Sequence, residues 1–234
     1  MAFYDYYDDL PPTGIGRAWV REQARHVLHH MREAAPHARR LMEIGPGHGI
    51  FADMCAADGL SYVALDINTR LLIAAQARGL TGVRAMAPAL PLAHGCFDIT
   101  FASHVIEHSP GYREALALLH EMGRATKAGG LVVLVAPDYL ELREDFWNCD
   151  YSHSFVTTRR RLRQIMRDAG LSVIGEHSLY GPLEGASGQF SGALIGNQLM
   201  STIARAVPGK IGERLYKLRL TFAHALLMIG RVAQ

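Results

Sequence analysis

A chain of 234 residues, 49% hydrophobic and 20% charged, can bury a full core and fits one large globular domain with an elaboration. Its 24 Lys and Arg against 22 Asp and Glu leave a net charge of only +2, which argues against a nucleic-acid partner, because phosphate binding needs a concentrated basic surface. The three cysteines, Cys55, Cys96 and Cys149, stand far apart with no Cys-x-x-Cys pair, a poor disulfide framework that points to a reducing compartment.

The start, "MAFYDYYDDL", is aromatic and acidic and does not read as a secretory leader, so a cytoplasmic location is expected. Tyr4, Tyr6 and Tyr7 precede the breaker-rich "LPPTGIG"; they read either as a lid hinged near Gly14 and Gly16 or as a segment packed on the surface. Trp19, Val20, Val27, Leu28 and Met31 recur at helical spacing and predict a helix from Arg17 to about Ala34, with Pro36 just beyond it. An alternation follows. The strand-like runs are "RLMEIG", "SYVALDI", "VRAM", "CFDITFAS" and "GLVVLVAP", separated by helical stretches Phe51–Ala57, Arg70–Ala77 and Tyr112–Thr126. Strands alternating with helices imply crossover units, and continuous apolar strands imply a parallel sheet covered on both faces.

After Pro137 the pattern changes. "DYLELREDFWNCDYSHSF" reads as an aromatic loop, Thr157 as the cap of a helix from Thr158 to Ala169, and "LSVIGEHSL" as a strand. Residues 180–224 hold turns and two expected helices. The apolar end "HALLMIGRVAQ" is too short to span a bilayer and reads as a last strand beside "LSVIGEHSL". The whole is an α/β, Rossmann-like doubly wound fold of seven mostly parallel strands with an antiparallel last strand. Its expected parts are a lid and helix over 1–38, a core over 39–179, a helical insertion over 180–224 and the last strand over 225–234.

The chemistry starts at "LMEIGPGHGIF". Gly45, Gly47 and Gly49 fall where a first strand turns into a helix, so a ligand can rest on bare backbone and on the helix N-terminus. Asp66 closes the second strand, 21 residues after Gly45, the interval at which a carboxylate meets ribose hydroxyls. A nucleoside-containing ligand is implied. The spacing is G-x-G-x-G, not the G-x-G-x-x-G of dinucleotide sites, with Ile50 where the third glycine would fall, and no Gly-Lys-Ser/Thr follows for a P-loop.

These residues, with "VALDIN", "ALPLAHGCFDITFASHVIEH" and "KAGGLVVLVAP" in that order, resemble the class I S-adenosylmethionine-dependent methyltransferases, particularly the small-molecule group that includes quinone-biosynthesis enzymes. The resemblance covers Leu41 to Leu179. It implies S-adenosyl-L-methionine as cofactor, with Glu43, Gly45, Gly47 and Gly49 around its methionine part and Asp66 on the ribose. It further implies Ile67 against the adenine, Met86 and Ala87 at the adenine edge, and Ser103 and His104 on the floor near the sulfonium. Met86 departs from the family, which often has an acidic residue there.

Methyl transfer to oxygen needs alignment and a base near neutral pH, and histidine is the natural choice. His104 and His108 flank Glu107; if "SHVIEH" were helical, the three would share one face. Some quinone-biosynthesis methyltransferases carry an acidic-acidic-His metal site here, but His104 takes the first acidic place, so no metal is expected. His153 in "YSHSF" is the third candidate base, alongside a loop-fixing role. Asp138 and Tyr139 are candidates to orient an acceptor, and the insertion, with Phe190, Leu194, Met200 and Leu215, to cover it. The leading expectation is O-methylation of a small-molecule acceptor. The alternatives are a non-catalytic S-adenosylmethionine-binding module and a peripheral membrane enzyme acting on a lipid-linked acceptor.

Overall fold

Six consecutive residues of one strand, Leu131 to Ala136, have at most 2% of their surface exposed. They form the centre of β5 (Thr126–Pro137), and the sheet is built around them. The computed structural model describes residues 14–234; the tyrosines Tyr4, Tyr6 and Tyr7 lie outside the described residues. The first half comprises α1 (Gly14–Ala34), β1 (Arg40–Ile44), α2 (Ile50–Ala57), β2 (Ser61–Asp66), α3 (Thr69–Gln76), β3 (Thr81–Arg84), β4 (Phe97–Ser103) and α4 (Tyr112–Ala125). Beyond β5 come α5 (Tyr139–Leu142), α6 (Asp145–Asn148), α7 (Arg159–Asp168), β6 (Leu171–Leu179), α8 (Gly185–Ile195), α9 (Gln198–Ala206), α10 (Gly209–Phe222) and β7 (Ala225–Val232).

The strands form one seven-stranded sheet in the order β3-β2-β1-β4-β5-β7-β6. All pairs up to β4–β5 are parallel, and β7 runs antiparallel to both β5 and β6. Strand alternation sends side chains to two cores. Leu41, Ile99, Phe101, Val133 and Leu227 meet Val27, Met31 and Phe51 from α1 and α2 on one face. Met42, Ile44, Ala102, Val132, Leu134 and Met228 meet Leu118, Met122, Leu162 and Met166 from α4 and α7 on the other. The strand order reverses direction at β1 and β4, so their C-terminal ends open a crevice, the place where this class of sheet binds ligands.

Several boundaries differ from those read in the sequence. The segment 180–224 holds three helices, not two. Its glycines look like turn formers, but Gly188 and Gly192 lie inside α8, where a β-carbon would fall 2.8 Å and 2.5 Å from the Tyr180 ring. They permit close helix packing. The stretch after Pro137 is not all loop: Asp138 accepts the Leu140 N–H at 2.9 Å and starts the single turn α5, with α6 directly after. Thr158, not Thr157, caps α7 by accepting the Arg161 N–H, while the buried Thr157 hydroxyl donates to the Pro137 carbonyl. The third strand covers Thr81–Arg84 and leaves Met86 beyond its end.

The insertion is tied to the core by one buried carboxylate. Asp145, fully buried on α6, accepts from Ser201 and Arg205 of α9 at 2.6 Å each and pairs with Arg219 of α10 at 3.2 Å. Burial works against its charge, yet these partners hold its carboxyl below the usual range. Arg219 is also fully buried and donates to the Glu141 carbonyl at 2.9 Å. Replacing Asp145 by Ala strands a buried guanidinium, and the expected loss is about 3–5 kcal/mol in urea unfolding. The double variant Asp145→Ala with Arg219→Met recovers most of that loss.

Candidate functional site

The turn between β1 and α2 is a left-handed run of bare backbone. Gly45, Gly47 and Gly49 have φ of 68°, 51° and 73°, a region in which a β-carbon is strained. The Gly45 N–H donates to the Leu65 carbonyl at 2.8 Å, which joins the turn to the end of β2. Gly49 caps α2 without any side-chain cap, leaving the first amides of that helix for a ligand. Arg78 braces the outside of the turn through Asp53 at 3.0 Å, and a β-carbon on Gly49 would fall 2.0 Å from its guanidinium.

A cavity of about 450 Å³ opens over this turn. Glu43, Gly45, Gly47 and Gly49 line it from β1 and the turn, Ser103 and His104 from the end of β4, and Val20 and Gln23 from α1. Asp66, Ile67, Met86 and Ala87 are not in its lining. They stand beside it at the ends of β2 and β3, where Asp66 pairs in register with Arg84 and accepts the Ala85 N–H through its carbonyl at 3.1 Å. Burial lifts the Asp66 carboxyl above its ordinary value, against N–H donors at Asn68 and Ile67. Ile67 and Met86 are exposed apolar side chains.

Glu43 is buried, and the Tyr62 hydroxyl donates to it. Burial pushes its carboxyl up to about 8; the Tyr62 hydrogen bond opposes this and the nearby Asp66 charge adds to it. Tyr62 was not singled out in the sequence. The register Leu41↔Tyr62 and Glu43↔Ala64 places it diagonally across from Glu43 on the same face, a signal that needs the pairing to be known.

A second cavity, of about 520 Å³, adjoins the first and shares Val20, Gln23 and His104 with it. Its other walls include Trp19 of α1, His153, Lys217 and Leu220 of α10, and His224 before β7. His224 lies 3.1 Å from Asp138 and 3.6 Å from Glu141, so both ring nitrogens face carboxylates. Tyr139 packs edge-on against Phe146 and Trp147. Cys149 also lines this cavity, with its thiol pushed up to about 11 by burial.

The stretch His104 to His108 is not one helix face. His104 takes a left-handed φ of 54°, and only Ile106–His108 form a short 3₁₀ turn. An L-residue pays about 1–2 kcal/mol for that conformation. It swings the half-exposed His104 ring to the boundary of the two cavities, while its Nδ1–H donates to the buried Glu107 carboxylate at 3.1 Å. Burial would depress this imidazole, but the hydrogen bond and charge of Glu107 hold it above the ordinary value. His108 donates from Nδ1 to Ser152, whose hydroxyl donates to Asp150, and burial keeps its imidazole below the usual value. The buried His153 donates from Nδ1 to the Phe146 carbonyl. The Glu107 carbonyl accepts from both Ser154 and Phe155, so His108 and His153 sit in a loop anchor. Ligand atoms of Glu107, His108 and His153 lie within 4.8 Å of one another, and Glu107 Oε2 has no hydrogen-bond partner among the described residues; among those residues these three, not the run His104–Glu107–His108, form a group that could hold a cation.

Residues 17–176 match the methyltransferase-domain family. The chain belongs to that family. An uncharacterized methyltransferase of Mycobacterium sp. strain JLS is 38% identical over 104 residues, which is 44% of this chain and 40% of the relative. The chain thus spans well under half the length of the curated relatives it matches. In fold, the chain is similar to a Haloferax volcanii methyltransferase solved with the Trm112 activator, with a TM-score of 0.69, 16% identity, and 100% and 99% of the two chains covered. It is also similar in fold to Haemonchus contortus phosphoethanolamine N-methyltransferase 2, solved with S-adenosyl-L-methionine, with a TM-score of 0.65, 17% identity, and 100% and 60% covered.

The buried Glu43 sets a pH dependence. A carboxyl raised on folding holds a proton that the unfolded chain releases, so the ligand-free chain loses stability as pH rises from the ordinary carboxyl range through about 8. Urea midpoints should fall across that window for the parent chain and stay level for Glu43→Gln.

Proposed function

We propose that this methyltransferase uses S-adenosyl-L-methionine to methylate a small-molecule acceptor at oxygen, with His104 as general base. The observation that carries the reading is His104, shared by two adjoining cavities and held by a buried carboxylate. The first cavity takes the methionine end of the cofactor: turn amides and the α2 N-terminus receive its carboxylate, and Glu43, ionising as it binds, receives its ammonium. Asp66 accepts from the ribose hydroxyls, Ile67 and Met86 flank the adenine, and the Ala87 backbone meets its edge. Ser103, in the lining of the first cavity, would face the sulfur end of the cofactor.

The cofactor, when bound, supplies an activated methyl group and a neutral leaving group. The chain supplies the rest. The second cavity, closed on one side by α10 of the insertion, holds the acceptor and excludes water. Glu107 fixes the His104 tautomer: with Nδ1 donating to the carboxylate, Nε2 carries the lone pair that takes the acceptor proton. The elevated basicity of His104 strengthens that base at the expense of its neutral fraction below neutrality. His153 and His108 hold the loop that forms the cavity floor.

His104→Ala should lower kcat by roughly 10²–10⁴-fold with the cofactor Kd little changed. Because the base must be neutral, kcat/KM should rise with pH along a limb set by His104, and Glu107→Gln should move that limb to lower pH while lowering kcat. Asp66→Ala should weaken cofactor binding by about tenfold or more, measured by calorimetry, without lowering the melting temperature. The acceptor atom is read by supplying methyl-labelled cofactor with pooled small-molecule extracts. Label on oxygen supports the reading; label on nitrogen or carbon, or none under conditions of tight cofactor binding, contradicts it.

A further inference from the structure

The insertion turns two different faces to its surroundings. Inward, Ser191, Ser201, Ala204 and Gly212 are buried against their neighbours, and Leu220 lines the second cavity. Phe190 and Leu194, expected from the sequence to cover an acceptor, line neither cavity; they stand outward, one turn apart on α8 with 71% and 60% exposure, and Leu199 and Ile203 do so on α9 with 68% and 42%. Ile211 on α10 is 64% exposed. Single exposed apolar residues need no explanation, but repeated i, i+4 pairs on consecutive helices mark a surface that meets something apolar.

Charge separates the candidate occupants. Residues 185–222 contain five Lys and Arg and one acidic residue, Glu213, whereas the whole chain is only +2. The rest of the protein is therefore net negative and the insertion is its cationic pole. Arg205 and Arg219 are paired with Asp145, and Arg205 also with Glu144, but Lys210 and Arg214, next to Ile211, make no ion pair among the described residues. Apolar anchors with adjacent unpaired cations match a surface that is apolar below and anionic at its boundary. A second copy of this chain would bring like charges together. No described helix is long and apolar enough to cross a membrane.

We propose that the outer face of α8–α10 docks on an anionic lipid bilayer. The helices lie along the headgroup layer with Phe190, Leu194, Leu199 and Ile203 inserted and Lys210 and Arg214 at the phosphates. Ile15 and Val20 of α1 are also exposed, and Val20 lines the second cavity together with Gly16 and Trp19. Docking does not depend on which atom is methylated, and the experiment reads partition rather than turnover, so its failure leaves the methyl-transfer reading standing.

The full chain is sedimented with vesicles of phosphatidylcholine alone and of phosphatidylcholine mixed with phosphatidylglycerol. Binding to the mixed vesicles only is expected, weakened by about tenfold or more in Lys210→Gln/Arg214→Gln and at high salt. Phe190→Gln/Leu199→Gln is expected to weaken it by a similar factor with an unchanged melting curve. Should that pair melt, Leu199→Trp serves instead, its fluorescence quenched by brominated lipid. Recovery of the parent chain in the supernatant with mixed vesicles, binding that ignores both double variants, an unquenched Trp, or a dimer that Phe190→Gln/Leu199→Gln dissociates overturns the proposal; the last result assigns the face to a second copy.

Discussion

The site depends on a short length of backbone that has no side chains to interpose. Between β1 and α2 the chain reverses through three glycines at positive φ, at the point where the sheet changes direction. The geometry aims helix amides into a cavity, and the absence of β-carbons lets a ligand approach to hydrogen-bonding distance. Everything else described around it supports that turn. The Leu65 carbonyl holds it to β2, Arg78 braces it from outside, and α1 roofs it with Val20 and Gln23.

A second local constraint works at the neighbouring strand. His104 accepts a left-handed backbone that most residues avoid, while its own N–H keeps its bond to the Val135 carbonyl at 2.8 Å. The sheet continues undisturbed and the ring is turned out between the cavities. Strain of this kind persists only where the surroundings over-determine it. Here Glu107 supplies the restraint, and Glu107 is in turn fixed through its carbonyl by the His153 loop. Acceptor-side and cofactor-side elements therefore meet at one side chain.

Much of the fold was legible because the core strands are continuous apolar runs and the helices between them carry apolar stripes. The last strand was readable from the apolar "ALLMI", but its place between β5 and β6 follows only from the pairing. The third helix of the insertion was not, because Gly188 and Gly192 carry a packing role that looks like turn composition until Tyr180 is placed against them. At the site, the glycine turn, Asp66 and the His104–Glu107–His108 run were visible as spacing. The helical reading of that run failed at a single φ, which separates His104 from the loop anchor of His108 and His153. Gln23, Lys217 and His224 carried no motif; only the tertiary approach of α1, α10 and β7 gives them a cavity to line.

The most direct measurement is titration calorimetry of the unaltered chain with S-adenosylmethionine, its demethylated product and NAD in parallel. The account predicts micromolar binding of the methyl donor and of the product, and no heat from NAD. Heat from NAD with none from either sulfur compound would contradict it, because the bare turn would then be serving a pyrophosphate.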